Sequence, residues 1–106
     1  MYGNQKWKYL QEVVKPYALD ILEELRKKTM RFTELKKICL SQKTLTTRLH
    51  ELEECNAIER VIEKPRKQKI KVFYALTPKG KQTIEMALQL KFKIIAGLIS
   101  RNHSLK

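Results

Sequence analysis

The chain has almost nothing from which to build a catalytic loop: three glycines in 106 residues, none of them in a phosphate-cradling run. It has no G-x-S-x-G turn and no pair of carboxylates in a recognisable catalytic frame, so an enzyme is not expected. Its two cysteines, Cys39 and Cys55, form no disulfide framework, and the two histidines are spread too widely for a ligand set. Neither C-x-C nor H-x-x-x-H occurs, so the expectation is no metal and no cofactor. No run of about 18 apolar residues exists, and the opening MYGNQKWKYL has no apolar signal core. These absences point to a chain that works in the cytoplasm and away from membranes.

Acid is the other scarcity. Eleven Asp and Glu face 23 Lys and Arg, a formal net charge of +12. A charge of that size favours polyanionic partners, nucleic acid first and an anionic membrane surface second. A solubilising, lysine-rich surface is the alternative. At 42% hydrophobic the composition is that of an ordinary globular chain, and the length fits one domain over residues 1–106.

Periodicity supplies the elements. Trp7, Leu10 and Val14 space like one face of a short helix that Pro16 should interrupt. YALDILEELRKKT places Ala18, Ile21, Leu22 and Leu25 on one stripe, predicting a helix to about Lys28. An extended link, MRF, follows. Thr33 is then the expected cap of TELKKICL, with Leu35, Ile38 and Cys39 inward, and Ser41 the cap of the next helix. Only Leu40 would separate those two helices, which forces a steep crossing and a helix-turn-helix. Asn56 suits the left-handed residue that closes a helix. IERVIEK and IKVFYALT read as a hairpin with a basic tip, and Thr77 and Pro78 as the cap and first residue of a last helix.

The tail TIEMALQLKFKIIAGLIS alternates in part like a strand, but its length and its Met, Ala, Leu, Gln and Lys content favour helix. Wound as a helix, its apolar residues cover roughly 240° of the circumference, wider than one small core can bury. A second subunit is therefore expected against it, with Trp7, Leu90, Ile94, Gly97 and Leu98 at the contact. Gly97 fits either a close approach of two helices or simple fraying near the chain end. The expected fold is mainly α with a small β-hairpin (α+β): a winged helix-turn-helix over 17–77, extra helices at both ends, and a dimerisation helix over 78–101.

The stretch SQKTLTTRLHELEECN carries the functional signal. Leu45, Leu49 and Leu52 take the inner side; Lys43, Thr47 and His50 fall opposite, Thr44 and Thr46 on the flanks, Arg48 near the boundary. Threonine is a poor helix former, so three of them on an exposed face ask for a reason. The helix, residues 41–55, is basic at its start and acidic at Glu51, Glu53 and Glu54, the reverse of what the macrodipole prefers. An anion at the N-terminal half, with acids keeping phosphates off the far end, accounts for that order. A solvated face with arbitrary charges is the alternative.

In a helix-turn-helix the second helix enters the major groove. Gln42, Lys43, Thr46, Thr47 and His50 are then the candidate base contacts. Ser41, Thr44 and Arg48, with Arg66, Lys67 and Lys69 of the basic wing 64–71, are the candidate phosphate contacts. Lys79 and Lys81 are weaker candidates for the same role. His50 also reads as an ordinary surface histidine, Cys39 as a buried structural thiol and Cys55 as a thiol at the core edge.

The segments RFTELKK, SQKTLTTRLHELEECNAIER and YALTPKG resemble winged-helix transcriptional regulators of the HxlR type, a prokaryotic and archaeal group to which the MarR and PadR types are more distantly related. The similarity runs from about Ile21 to Leu90. It implies a DNA-binding dimer that represses or activates transcription from duplex DNA; the expected place of work is the nucleoid, and the sequence names no effector ligand. That family typically carries a reactive cysteine near its N-terminus and a Gly-Lys-Trp segment in its first helix, and KPYALDILEEL has neither. The rival readings are a non-specific architectural DNA-binding protein and a winged-helix protein-interaction module.

Overall fold

The computed structural model describes the backbone of residues 2–64, 66 and 69–104, and side chains of that set between residues 6 and 99. Its elements run α1 (Tyr2–Val13), α2 (Ala18–Lys27), α3 (Phe32–Leu35), α4 (Gln42–Glu54), β1 (Ile58–Glu63), β2 (Lys71–Leu76) and α5 (Pro78–Ser104). This is a winged helix-turn-helix, mostly helical with an antiparallel hairpin whose register runs from Ile58 opposite Leu76 to Glu63 opposite Lys71.

The expected stripe of α2 is the floor of the core, where Ala18, Ile21, Leu22 and Leu25 are all buried. Leu45, Leu49 and Leu52 of α4 close over it, joined by Leu35, Cys39, Ala57, Ile58 and Ile84. Each fully buried Leu or Ile contributes about 1.5–3 kcal/mol, and this cluster holds the helices together. The MRF link does more than connect. Met30 pairs with Tyr74, its N–H donating at 3.1 Å and its carbonyl accepting at 2.7 Å, so β2 is bonded along both edges.

The Trp7, Leu10 and Val14 stripe is present and exposed, with Val13 and Tyr9 on α1's inner side. Tyr9 shares a 2.5 Å hydrogen bond with Thr83, and Lys79 Nζ lies 4.0 Å from the centre of its ring. The helix expected from Thr33 to Leu40 is only Phe32–Leu35, started at Arg31, whose backbone N–H donates to the Glu34 carboxylate at 3.0 Å. It stops because the Ile38 N–H bonds back three residues to Leu35, a tightened turn that carries Cys39 into the core. The link to α4 is consequently residues 36–41 rather than Leu40 alone. Leu40 itself is 91% exposed.

Helix α4 is fixed at both ends. Ser41 Oγ accepts the Thr44 N–H at 3.2 Å. Asn56, at φ 66°, closes the other end, with its N–H on the Glu53 carbonyl and the Ala57 N–H on that of Leu52. That pair of bonds is a Schellman closure, with Leu52 and Ala57 buried beside it.

On the side facing the α1–α2 turn, α4 is held by charge. Lys15 Nζ lies 2.6 Å from Glu12 and 2.9 Å from Glu51, while Arg48 reaches Glu51 at 2.5 Å. Arg48 Nε also donates to the Pro16 carbonyl at 2.9 Å. The turn so held includes Tyr17 at φ 72°, a left-handed conformation that costs a bulky residue energy and needs such support. Lys15, and then Arg48, hold the Glu51 carboxyl below its ordinary value of 4.5; Glu12, and then Glu51, raise Lys15 above 10.5.

Helix α5 begins in the predicted way. Thr77 Oγ1 accepts the Gly80 N–H at 3.0 Å and donates to the carbonyls of Asn56 and Ala57, at 2.6 and 3.1 Å. Gly80 is required here, since a Cβ on it would stand 1.9 Å from the Ala57 carbonyl oxygen. The helix extends beyond the core and gives the molecule a 67 Å long axis. No described helix is long and apolar enough to cross a membrane.

Replacing Gly80 with alanine should therefore destabilise the fold by about 2 kcal/mol, roughly 8–10 °C in Tm by circular dichroism. An unchanged Tm would mean that the start of α5 is free to move. A depressed carboxyl pKa contributes stability above the unfolded value and loses it as pH falls through the folded one. Glu51→Gln should thus lower stability by about 0.5–1 kcal/mol near neutrality. The gap to wild type should close as the pH falls below the ordinary carboxyl value of 4.5 and through the depressed folded-state one. A gap that persists there would assign the loss to shape rather than to charge.

Candidate nucleic-acid interface

The outward side of α4 brings together the side chains the sequence singles out. Gln42, Lys43, Thr46, Thr47 and His50 are all exposed on it. Each helical step of 100° sets Lys43, Thr47 and His50 nearly opposite Leu45, with Glu54 continuing the same line. Lys43 has no carboxylate partner among the described residues. The Thr46 hydroxyl donates to the Gln42 carbonyl at 2.8 Å, so only its lone pairs and methyl face outward. His50 Nε2 lies 2.7 Å from Glu54 Oε1. The Ser41 hydroxyl uses a lone pair on Thr44 and keeps its proton for an anion.

Arg48 is elsewhere. Its side chain is only 14% exposed and is committed to Glu51 and the Pro16 carbonyl, so it holds the α1–α2 turn rather than facing outward. Thr44 is half-buried. Lys79 is likewise engaged, donating to the Cys55 carbonyl at 3.3 Å and covering the Tyr9 ring, whereas Lys81 is exposed. The acidic end of α4 also has a nearer purpose than repelling phosphates. Glu51 binds Lys15 and Arg48, and Glu53 binds Arg60 of β1 at 3.0 Å. Tertiary pairing therefore accounts for Glu51 and Glu53, while Glu54 pairs with His50 on the same helix.

The wing presents Lys64, Arg66 and Lys69 to solvent, with Lys71 half-buried at the start of β2. Lys67 lies outside the described residues. Its root is tied to α4 by the Glu53–Arg60 pair, which links the two basic surfaces mechanically.

Cys39 is buried; Cys55 is half-buried, and burial pushes its thiol above the ordinary value, away from the reactive thiolate. No group of three potential metal ligands occurs among the described residues. A cleft of about 320 Å³ opens between α1, the end of α4 and the start of α5, lined by Lys8, Tyr9, Glu12, Glu54, Cys55 and Lys79. Its mixed charges differ from the mainly apolar lining of small-molecule sites.

The surface the sequence left unassigned is this bracing set. Lys15, Pro16 and Arg60 orient the helix without touching its outward face, and the partners of Lys15 and Pro16 on α4 are distant in sequence. The one available hint is the place of Arg48 at the edge of the core stripe, where a long side chain reaches a neighbouring element.

Solved structures similar to this chain include transcriptional regulators. A protein from Enterococcus faecalis V583 assigned to the MarR family superposes with a TM-score of 0.74 at 24% identity, over 94% of this chain and 90% of that one, a likeness of fold. The reduced transcriptional regulator YodB from B. subtilis is 31% identical, with a TM-score of 0.62 over 83% of this chain and 81% of its own. The redox regulator HypR in its reduced form is 28% identical, with a TM-score of 0.66 over 77% and 81%. No curated protein matches the chain. The HxlR-like helix-turn-helix model matches residues 12–101, which includes α2 to β2 and nearly all of α5. The chain belongs to the HxlR-like helix-turn-helix family, whose company among solved structures is transcriptional regulators and not enzymes.

Proposed function

We propose that this chain is a homodimeric transcriptional regulator that reads a specific duplex sequence, with α4 in the major groove and the wing on the backbone or in the minor groove. The observation that carries the reading is the outward line Lys43, Thr47, His50: hydrogen-bonding side chains on a helix whose Glu51 and Glu53 are drawn into tertiary pairs and whose Glu54 pairs with His50. Gln42 and Thr46 extend that surface, and Ser41, Arg66, Lys67 and Lys69 supply phosphate contacts. Thr44, being half-buried, adds at most a contact through its edge. Arg48 acts through Glu51 and Pro16 as a brace and not as a phosphate ligand.

Dimerisation has its own support. Phe92 is 73% exposed, and Leu90, Ile94, Ile95, Leu98 and Ile99 are exposed beside it along α5, while Trp7, Leu10 and Val14 are exposed on α1. A Cβ at Gly97 would meet nothing within 4 Å, room that a second helix can use for close approach. Residues 17–77 then form the reading head and 78–101 the pairing helix. Two α4 helices on one face of a duplex require half-sites about one turn apart, ~10 bp, or a multiple of it. Such a protein works on the chromosome, in the cytoplasm.

Selection of duplexes from a random pool at about 150 mM salt should recover an inverted repeat with that spacing; retention of DNA without any enriched sequence would favour an architectural protein. On the recovered site, Lys43→Ala or Thr47→Ala should weaken binding about 5- to 50-fold with little change on scrambled DNA. Neutralising Arg66, Lys67 and Lys69 together should weaken every duplex alike and flatten the salt dependence by about one unit of slope per lost contact. Ile94→Glu should convert a dimer to a monomer in sedimentation analysis, and a species of unchanged mass would move the pairing surface away from α5.

A further inference from the structure

We propose that Glu54 is a positioning residue for base recognition: it holds the His50 imidazole with Nε2–H directed at its carboxylate, so that Nδ1 is presented to the duplex as an acceptor for an exocyclic amino group, the N6 of adenine or the N4 of cytosine. This rests on reading α4 as the recognition helix.

Three observations converge on the pair. His50 and Glu54 lie on the same outward line as Lys43 and Thr47, the ring nitrogen 2.7 Å from Glu54 Oε1, with side chains 70% and 68% exposed. Beside the ring is a cleft of about 180 Å³ between α4 and the sheet, lined by Phe32, Thr46, Glu53, Arg60 and Tyr74 among others. Of the two carboxylates near the ring, Glu53 is taken by Arg60 at 3.0 Å, which leaves Glu54 for the imidazole. Local helix stability gains little from the pairing, because an acid on the C-terminal side of its basic partner is the weaker of the two i,i+4 orders.

The chemistry follows from what a carboxylate can do. Ionised, it only accepts, so a neutral imidazole bound to it through Nε2 must carry its proton there. Nδ1 is then a lone pair. In the major groove the donors that meet a lone pair are the amino groups of adenine and cytosine; guanine presents N7 and O6, both acceptors, and repels it. Glu54 thus converts an ambiguous side chain, able to donate or accept from either nitrogen, into one with a fixed sense. An acid at this position also opposes non-specific phosphate contacts at the far end of α4, which sharpens discrimination.

The test uses the full chain with the duplex selected by wild type and all its single-pair variants. Wild type should prefer adenine or cytosine at one position of each half-site. His50→Ala should erase that preference, a loss of about 5- to 20-fold on the selected base. Glu54→Ala should admit guanine there, leaving the other positions as they were and scrambled duplexes bound at least as well. Where adenine is preferred, its replacement by unsubstituted purine, which lacks N6, should weaken wild type and leave Glu54→Ala indifferent; an unaffected wild type at such a position would overturn the proposal. A Glu54→Ala profile identical to wild type, or a loss spread evenly over all positions and duplexes, would also overturn it, the latter being what a purely structural role gives. If wild type prefers no duplex, the reading of α4 fails and this inference with it. If Lys43→Ala alters base preference while Glu54→Ala does not, only this inference fails.

Discussion

The carbonyl of Ala57 is the point on which the architecture turns. Asn56 adopts a left-handed conformation to end α4, and the next peptide must then serve β1, β2 and α5 together. It accepts the Thr77 N–H at 3.2 Å and the Thr77 hydroxyl at 3.1 Å, and packs against Gly80 where no side chain fits. The end of α4, both strands and the start of α5 are thereby set in one small volume. The direction in which the long helix leaves the domain, and the tilt at which α4 shows its outer face, are two consequences of the same contact.

Charge is partitioned around that frame. Glu51 and Glu53 are used to brace α4 against the α1–α2 turn and against β1, and Glu24 and Glu34 neutralise Lys27, Lys37 and Lys28 on the side of α2 and α3. Lys27, and then Lys37, depress the Glu24 carboxyl; the Arg31 backbone N–H, and then Lys28, depress that of Glu34. Lys43 on the outer face of α4 and Lys64, Arg66 and Lys69 on the wing have no such partner among the described residues; Lys8, Arg26, Lys36, Lys81, Lys91 and Lys93 on the other helices and turns are also without one.

Most of the fold was legible because it rests on local rules. The stripe of α2, the Ser41 cap, the Asn56 closure and the Thr77–Pro78 start are each written in a few adjacent residues, and each is present. What could not be read depends on contacts distant in sequence. The pattern of Lys36 to Cys39 is helical, yet the chain turns early to bury Cys39. Tyr17 is no candidate for a positive φ until Arg48, far along the chain, is seen holding the neighbouring carbonyl. For the same reason the outward face of α4 was identifiable from spacing, but the role of Arg48 was not: a guanidinium at the edge of a stripe has no partner until the fold brings one.

Met30 has an effect beyond the link it forms. By bonding to Tyr74 it covers one position on the edge of β2 that faces away from the hairpin partner, while the opposite edge of the sheet belongs to β1. That strand carries Glu59, Arg60 and Glu63, all exposed, and charges along an edge discourage a strand from another molecule from adding to it. One side of the sheet is thus partly covered by the Met30 backbone and the other is lined by charge, and both features disfavour the addition of a further strand.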